Sequence, residues 1–138
     1  MRLVADANVL LSAVLGARAR LVLSHPEVEQ VFTSEVTFAE VQEYASAMAL
    51  NRRLSVDAVL LAVAALPLIL VERHVYAHAL SRARKLIGKR DPDDVEILAL
   101  ALHAEAPLWS NDNDFEGTGV EWYTTAELLR HLGISRPR

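Results

Sequence analysis

Short apolar runs alternate along the chain with longer stretches whose apolar positions recur every three or four residues. This is the pattern of βα units. Leu3-Val4-Ala5 reads as a strand ending at Asp6, followed by a helical region from about residue 9 to 24 that Gly16 interrupts. Val31-Phe32-Thr33 is a second strand, and helices are expected over about 35–50 and 56–66, the latter capped by Ser55. Leu68-Ile69-Leu70-Val71, four apolar residues in a row before Glu72, reads as a strand covered on both faces. A helix is then expected over about 72–87. Asp91-Pro92-Asp93-Asp94 has the form of a helix start, an acid followed by proline at the first helical position, with the helix running to about Ala104. Leu108-Trp109-Ser110 and Val120-Glu121-Trp122-Tyr123 complete five strands. Thr124 and Glu127 have the spacing of a capping box for a last helix. The fold class is therefore α/β, with a mostly parallel sheet, helices on both faces, and ligands expected beyond the carboxyl ends of the strands.

Length and composition narrow the chemistry. The 138 residues suit a single domain, and no repeat, low-complexity tract or Gly/Ser-rich linker divides them. With 52% hydrophobic and 23% charged residues the composition is that of a globular protein. The absence of cysteine excludes disulfides, thiolate nucleophiles and sulfur-ligated metals. No stretch approaches the roughly eighteen apolar residues of a membrane span. The start, Arg2-Leu3-Val4-Ala5-Asp6, does not read as an export signal, so a soluble cytoplasmic protein is expected. A net charge of -4 argues against a general nucleic-acid coat protein. Arg82, Arg84, Lys85, Lys89 and Arg90 nevertheless form a basic cluster, which suits either RNA phosphates or the solvation of a helix end.

Four acidic signals fall where an α/β sheet binds ligands. Asp6 ends the first strand, where it serves as a helix cap or as part of a site, and Asn8 and Ser12 could line the same opening. Glu40 lies on the shoulder of the helical arc formed by Val36, Tyr44, Met48 and Val41, whereas Gln42 and Glu43 turn to the polar side. That placement fits an inward acid or a glutamate whose stem packs on the core. Asp94 shares the helical stripe of Ile97, Leu98 and Ala101, while Glu96 and His103 face the other way. Asp91 and Asp93 are read as capping residues. Ser110-Asn111-Asp112-Asn113-Asp114-Phe115 follows the fourth strand and lacks the glycine and glutamate positions of a calcium-binding EF-hand loop.

Asp6, Glu40, Asp94, Asp112 and Asp114 are thereby expected around one end of the sheet. Carboxylates so close cannot all stay ionised without compensation. An all-oxygen ligand set favours Mg2+ or Mn2+, and such a site suits phosphoryl transfer. A phosphatase or receiver-type domain is less consistent, because Asn8 stands where the common aspartate chemistry wants a second acid. A DNA or flap nuclease, or an interaction protein without turnover, remains compatible with these acids.

The other candidates carry less. His74 and His78 have a zinc-compatible spacing but no third ligand, Trp109 is expected in the core, and Gly117 and Gly119 read as turn residues.

The chain resembles PIN-domain nucleases, including the VapC-type toxins of bacterial toxin–antitoxin systems. The resemblance is carried by Asp6-Ala7-Asn8, the Thr33-Ser34 turn before the helix bearing Glu40, Arg90-Asp91-Pro92-Asp93-Asp94, and Ser110-Asn111-Asp112-Asn113-Asp114-Phe115. Ser110 stands where many relatives carry threonine, which also supplies a hydroxyl. The resemblance implies a three-layer α/β/α sandwich and Mg2+- or Mn2+-dependent cleavage of single-stranded RNA. Asp6, Glu40, Asp94 and Asp112 would form the acidic quartet, with Asp114 as an accessory ligand and Ser110 behind them. It also implies a homodimer and, for a toxin, a small cognate antitoxin.

Overall fold

The computed structural model describes residues 1–134. Five strands, β1 (Arg2–Ala5), β2 (Gln30–Ser34), β3 (Ile69–Val71), β4 (Leu108–Trp109) and β5 (Trp122–Tyr123), form one sheet in the order β3-β2-β1-β4-β5. All neighbouring pairs are parallel, and Val4 of β1 lies opposite Phe32 on one side and Leu108 on the other.

Residues alternate between the two faces as a pleated strand requires. Leu3, Ala5, Val31 and Trp109 enter one core cluster, with α1 (Ala7–Val14), α2 (Ala19–Leu23), α3 (Glu35–Asn51), α4 (Val56–Ala64) and α8 (Thr125–His131). Val4 and Leu108 enter the other, with α5 (Arg73–Tyr76), α6 (Leu80–Ile87), α7 (Val95–Ala104) and Phe115. The result is a three-layer α/β/α arrangement. Trp122 packs on one cluster and Tyr123 on the other, so both side chains of β5 are used.

Local chemistry explains the element boundaries. Ser34 accepts from the Thr37 backbone N–H at 2.9 Å and Ser55 from that of Ala58 at 3.2 Å, capping α3 and α4. Thr124 and Glu127 form the expected reciprocal capping box at α8. Gly16, at φ 77°, divides the first helical region into α1 and α2. The region from Glu72 to Ile87 is also divided, by a 3-10 turn over Ala77–Ala79.

Two expectations change, for the third strand and for the inward face of α3. Residues 69–71 form an edge strand, not one covered on both faces, and Ile69 and Leu70 remain exposed. No helix connects β4 to β5; the loop between them is pinned instead by Phe115, which is fully buried. The inward face of α3 is made of Thr37, Val41, Ala45 and Ala49. These mostly small residues admit the helix close to its neighbours, and the larger Val36 and Tyr44 are left exposed. Among the described residues, no helix is long and apolar enough to cross a membrane.

Candidate active site

From β1 the chain moves outward to β2 and β3, then returns to β4 on the other side of β1. This reversal opens a crevice at the carboxyl ends of β1 and β4, the usual ligand position in an open α/β sheet. Asp6 leaves β1 at that point, and its backbone N–H donates to the Trp109 carbonyl of β4 at 3.0 Å. Residues more than a hundred positions apart therefore meet directly.

Asp6 caps α1, accepting from the Ala7 backbone N–H at 2.8 Å through Oδ1. Its Oδ2 accepts from the Ser110 hydroxyl at 3.0 Å and from the Asn8 amide at 3.3 Å. Capping and site membership, alternatives in the sequence, are thus combined in one carboxylate. The Asn8 amide also reaches Ser110 Oγ at 3.1 Å and Asp112 Oδ2 at 3.0 Å, so it stands between two acids. Asn8 Oδ1 in turn accepts from the Asn111 backbone N–H at 3.2 Å, which fixes the amide's orientation. Asp112 Oδ1 accepts from the Asp114 backbone N–H at 3.2 Å.

Asp94 ends a 3-10 turn, Pro92–Asp94, just before α7. In that turn positions i and i+3 eclipse. Asp91 is accordingly brought beside Asp94, and Asp91, Asp94 and Asp114 each offer a carboxylate oxygen within 4.8 Å of the others. Asp91, read from the sequence as a cap, makes no capping bond and belongs to this acidic group instead. Asp93 is exposed, yet its charge acts on Glu40. The i,i+3 spacing of Asp91 and Asp94 is the signal that could have found Asp91.

Burial and mutual repulsion make these acids reluctant to ionise. Burial pushes Asp6 up to about 6 despite its three hydrogen bonds, and the Asp112 and Asp114 charges act in the same direction. Asp94 is pushed up to about 9 by burial, by a proton shared with Asp114, and by the charges of Asp6, Asp114 and Asp112. Asp112 is raised chiefly by burial and further by the Asp114 charge. Glu40, half-buried on the flank of α3, is raised by burial first and then by Asp93 and Asp6. One electrostatic neighbourhood therefore contains Asp6, Glu40, Asp94, Asp112 and Asp114.

A divalent cation fits the donor set. The available ligands are all carboxylate oxygens, the donor type of hard divalent cations, and Asp91, Asp94 and Asp114 would be the residues to hold one.

Several other residues take different places. Ser12 lines a neighbouring cleft with Asn111, Arg18 and Thr125. Arg90 holds the site's frame: its Nε donates to Asp91 Oδ2 at 2.9 Å and its Nη2 donates to the Asp114 carbonyl. Arg82 lines a cleft with Pro107 and Glu121, at the amino ends of β4 and β5, opposite the acids. Glu96 is half-buried, accepting from the Tyr76 hydroxyl and from Arg73 Nε, each at 2.9 Å. His74 pairs with Glu72, and His78 with His103 at 2.8 Å. Trp109 is fully buried, with its Nε1–H donating to Thr125 Oγ1 at 2.9 Å, so it offers no stacking platform.

The PIN-domain family model matches residues 4–133. The chain belongs to the PIN-domain family. Solved structures share the fold at low sequence identity. This PIN domain is similar to VapBC-1 from nontypeable Haemophilus influenzae, with TM-score 0.65, 16% identity, and coverage of 91% of this chain and 99% of that one. A toxin–antitoxin complex from Klebsiella pneumoniae gives TM-score 0.64 and 22% identity over 88% of this chain and 96% of the other. VapC20 of Mycobacterium tuberculosis, a Sarcin-Ricin loop cleaving toxin, gives 0.59 and 21% over 86% and 95%. No curated protein matches the chain in sequence.

Proposed function

We propose that this PIN domain is a Mg2+- or Mn2+-dependent endoribonuclease that hydrolyses phosphodiester bonds in single-stranded RNA. The observation that carries the reading is the crowding of half-buried carboxylates at the sheet's reversal point, where Asp94 and Asp6 are both raised far above ordinary aspartates. Such a cluster has strong affinity for either protons or a cation, and at neutral pH a divalent cation satisfies it better. When bound, Mg2+ or Mn2+ supplies the Lewis acidity that activates water and neutralises charge growing on the phosphoryl oxygens.

Asp6, Glu40, Asp94 and Asp112 are the acid set, with Asp91 and Asp114 beside them. Asn8 and Ser110 fix the rotamers of Asp6 and Asp112, so these carboxylates meet a cation without reorganising. Arg90 ties the turn bearing Asp91 to the loop bearing Asp114, which keeps the two sides of the site in register.

The fold shared with toxin–antitoxin proteins supports a toxin role in the cytoplasm, held in check by a small cognate antitoxin. The test is cleavage of unstructured RNA and of a mixed cellular RNA pool by the wild type and Asp94→Asn, each with Mg2+, Mn2+ or a chelator. Metal-dependent cleavage by the wild type, lost in the variant, upholds the reading. Cleavage that survives thorough chelation refutes it.

A further inference from the structure

The basic cluster divides when it folds. Arg82 faces the far end of the sheet, whereas Arg84, Lys85, Lys89 and Arg90 line one groove of about 600 Å³, with Leu86 beside them. The groove begins at the acidic site, because Arg90 both lines it and bonds to Asp91 and to the Asp114 carbonyl. A second depression, lined by Arg84, Lys89, Pro92 and Glu96, shares two of these cations, and its one acid is already engaged by Arg73 and Tyr76.

Arg84 and Lys85 sit in the last turn of α6, where cations complement the helix dipole, but Lys89 and Arg90 lie beyond the helix and are not explained by its end. At that end the Arg84 carbonyl accepts from the Gly88 N–H and the Ile87 carbonyl from the N–H groups of Arg90 and Asp91, so backbone groups serve these two. Nor do ion pairs engage the groove's cations other than Arg90. Among the described residues the salt bridges involve Arg73, His74, Arg90 and the amino terminus, and Arg84, Lys85 and Lys89 enter none. Three exposed positive charges thus line a concave surface beside an acidic cluster and form no ion pair among the described residues. A site rich in carboxylates repels a polyanion, and flanking cations are the remedy.

We infer that this groove is the track for the phosphodiester backbone of the substrate strand on the Asp91 side of the cleavage point, an inference that rests on the nuclease reading above. Arg84, Lys85 and Lys89 bind phosphates and position the strand. They take no part in bond cleavage. The groove's open, cation-lined form suits single-stranded nucleic acid, where backbone contacts give affinity without sequence choice.

The experiment compares the wild type with R84Q/K85Q/K89Q and with R52Q/R82Q/R130Q, which removes the same charge at exposed positions outside the groove. Binding of a fluorescein-labelled single-stranded RNA is followed by anisotropy across a salt series, with Ca2+ in place of Mg2+. Cleavage kinetics are measured with Mg2+, and folding is checked by circular dichroism. Each lost phosphate contact removes about 0.7 from the slope of log K against log salt, so the groove variant should lose about 2. Its Kd should weaken at least tenfold at ~100 mM salt and its KM should rise, with kcat retained and the second variant close to wild type. Equal losses in both triple variants, or an unchanged Kd and slope in the groove variant, overturn the inference. So does tighter binding of a polyglutamate peptide than of RNA through the same three residues. A wild type that binds RNA through the groove yet cleaves none upholds the track and removes the nuclease reading. One that cleaves with the same KM in the groove variant does the reverse.

Discussion

Asp94→Asn separates electrostatic crowding from structural need. The carboxylate oxygens of Asp94, Asp91 and Asp114 lie within 4.8 Å of one another. Two unit charges at that distance repel by about 1 kcal/mol in water and about 3 kcal/mol at an effective dielectric of 20. Asp94 is raised to about 9, so at pH 8 the metal-free wild type must take up a proton on folding that asparagine does not need, and Asp94→Asn should be more stable by at least about 1–2 kcal/mol, or about 3–8 °C in melting temperature.

The sign depends on pH in a checkable way. Asp94 is raised from 3.8 to about 9 in the folded chain, so proton uptake favours folding fully below about pH 4 and that contribution fades as pH rises toward 9. At pH 5 the unfolded side chain is much nearer its own pKa of 3.8, proton uptake costs far less, and the advantage of asparagine should shrink. A saturating metal reverses the order at pH 8, because a ligand about a hundredfold above its Kd adds about 2.7 kcal/mol to the wild type and little to the variant. The assay is thermal unfolding at pH 5 and pH 8, with chelator and with Mn2+. A variant destabilised equally at both pH values would show Asp94 to be a structural residue. A wild-type melting temperature indifferent to Mn2+ would remove the metal from the argument.

Glu40→Gln should lower RNA cleavage at least a hundredfold with the fold intact, whereas Glu43→Gln, exposed on the same helix, should stay within a few-fold of wild type in the same assay. Metal affinity by titration calorimetry should fall steeply as pH drops from 7.5 to 5.5, since protons compete for Asp6, raised to about 6, and for Asp94, raised further. A homodimer is expected by light scattering; Leu61 of α4, 71% exposed, is a large apolar side chain open to a partner, so Leu61→Glu should give a monomer that remains folded.

The strand–helix alternation made the parallel sheet legible, because βα units announce themselves through two different apolar periods. Asp6 and the Ser110–Asp114 loop were legible too, since each directly follows a strand. What stayed hidden depended on three-dimensional placement. A run such as Leu68–Val71 says that a strand is apolar, not that it will occupy an edge. The wheel for Glu40 took Val36 and Tyr44 as core markers, but close packing through Ala45 and Ala49 turned a different face inward. Asp91 was missed because an acid directly before proline at a helix start reads as a cap, whereas the 3-10 turn stacks it on Asp94 three residues on. Glu96 read as a surface acid because its partners, Arg73 and Tyr76, lie twenty or more residues away.

Asn8 shows most clearly why this site needs one neutral side chain. Its amide stands 3.3 Å from Asp6 Oδ2 and 3.0 Å from Asp112 Oδ2, donating to both. Asn8→Ala removes those bonds but adds no charge. Asn8→Asp keeps the shape and places a third carboxylate against two others, where each pair at about 4 Å costs about 4 kcal/mol at an effective dielectric of 20 and about 1 in water. In chelator at pH 8 the stability order should therefore be wild type, then Asn8→Ala, then Asn8→Asp. At pH 5 the protonated aspartic acid can donate one hydrogen bond, and Asn8→Asp should recover to the level of Asn8→Ala or above it. Denaturant unfolding of the three proteins at the two pH values decides the matter. If Asn8→Asp matches the wild type at pH 8 without metal, the amide is not what keeps Asp6 and Asp112 together, and the crowding on which the metal site depends has been misjudged.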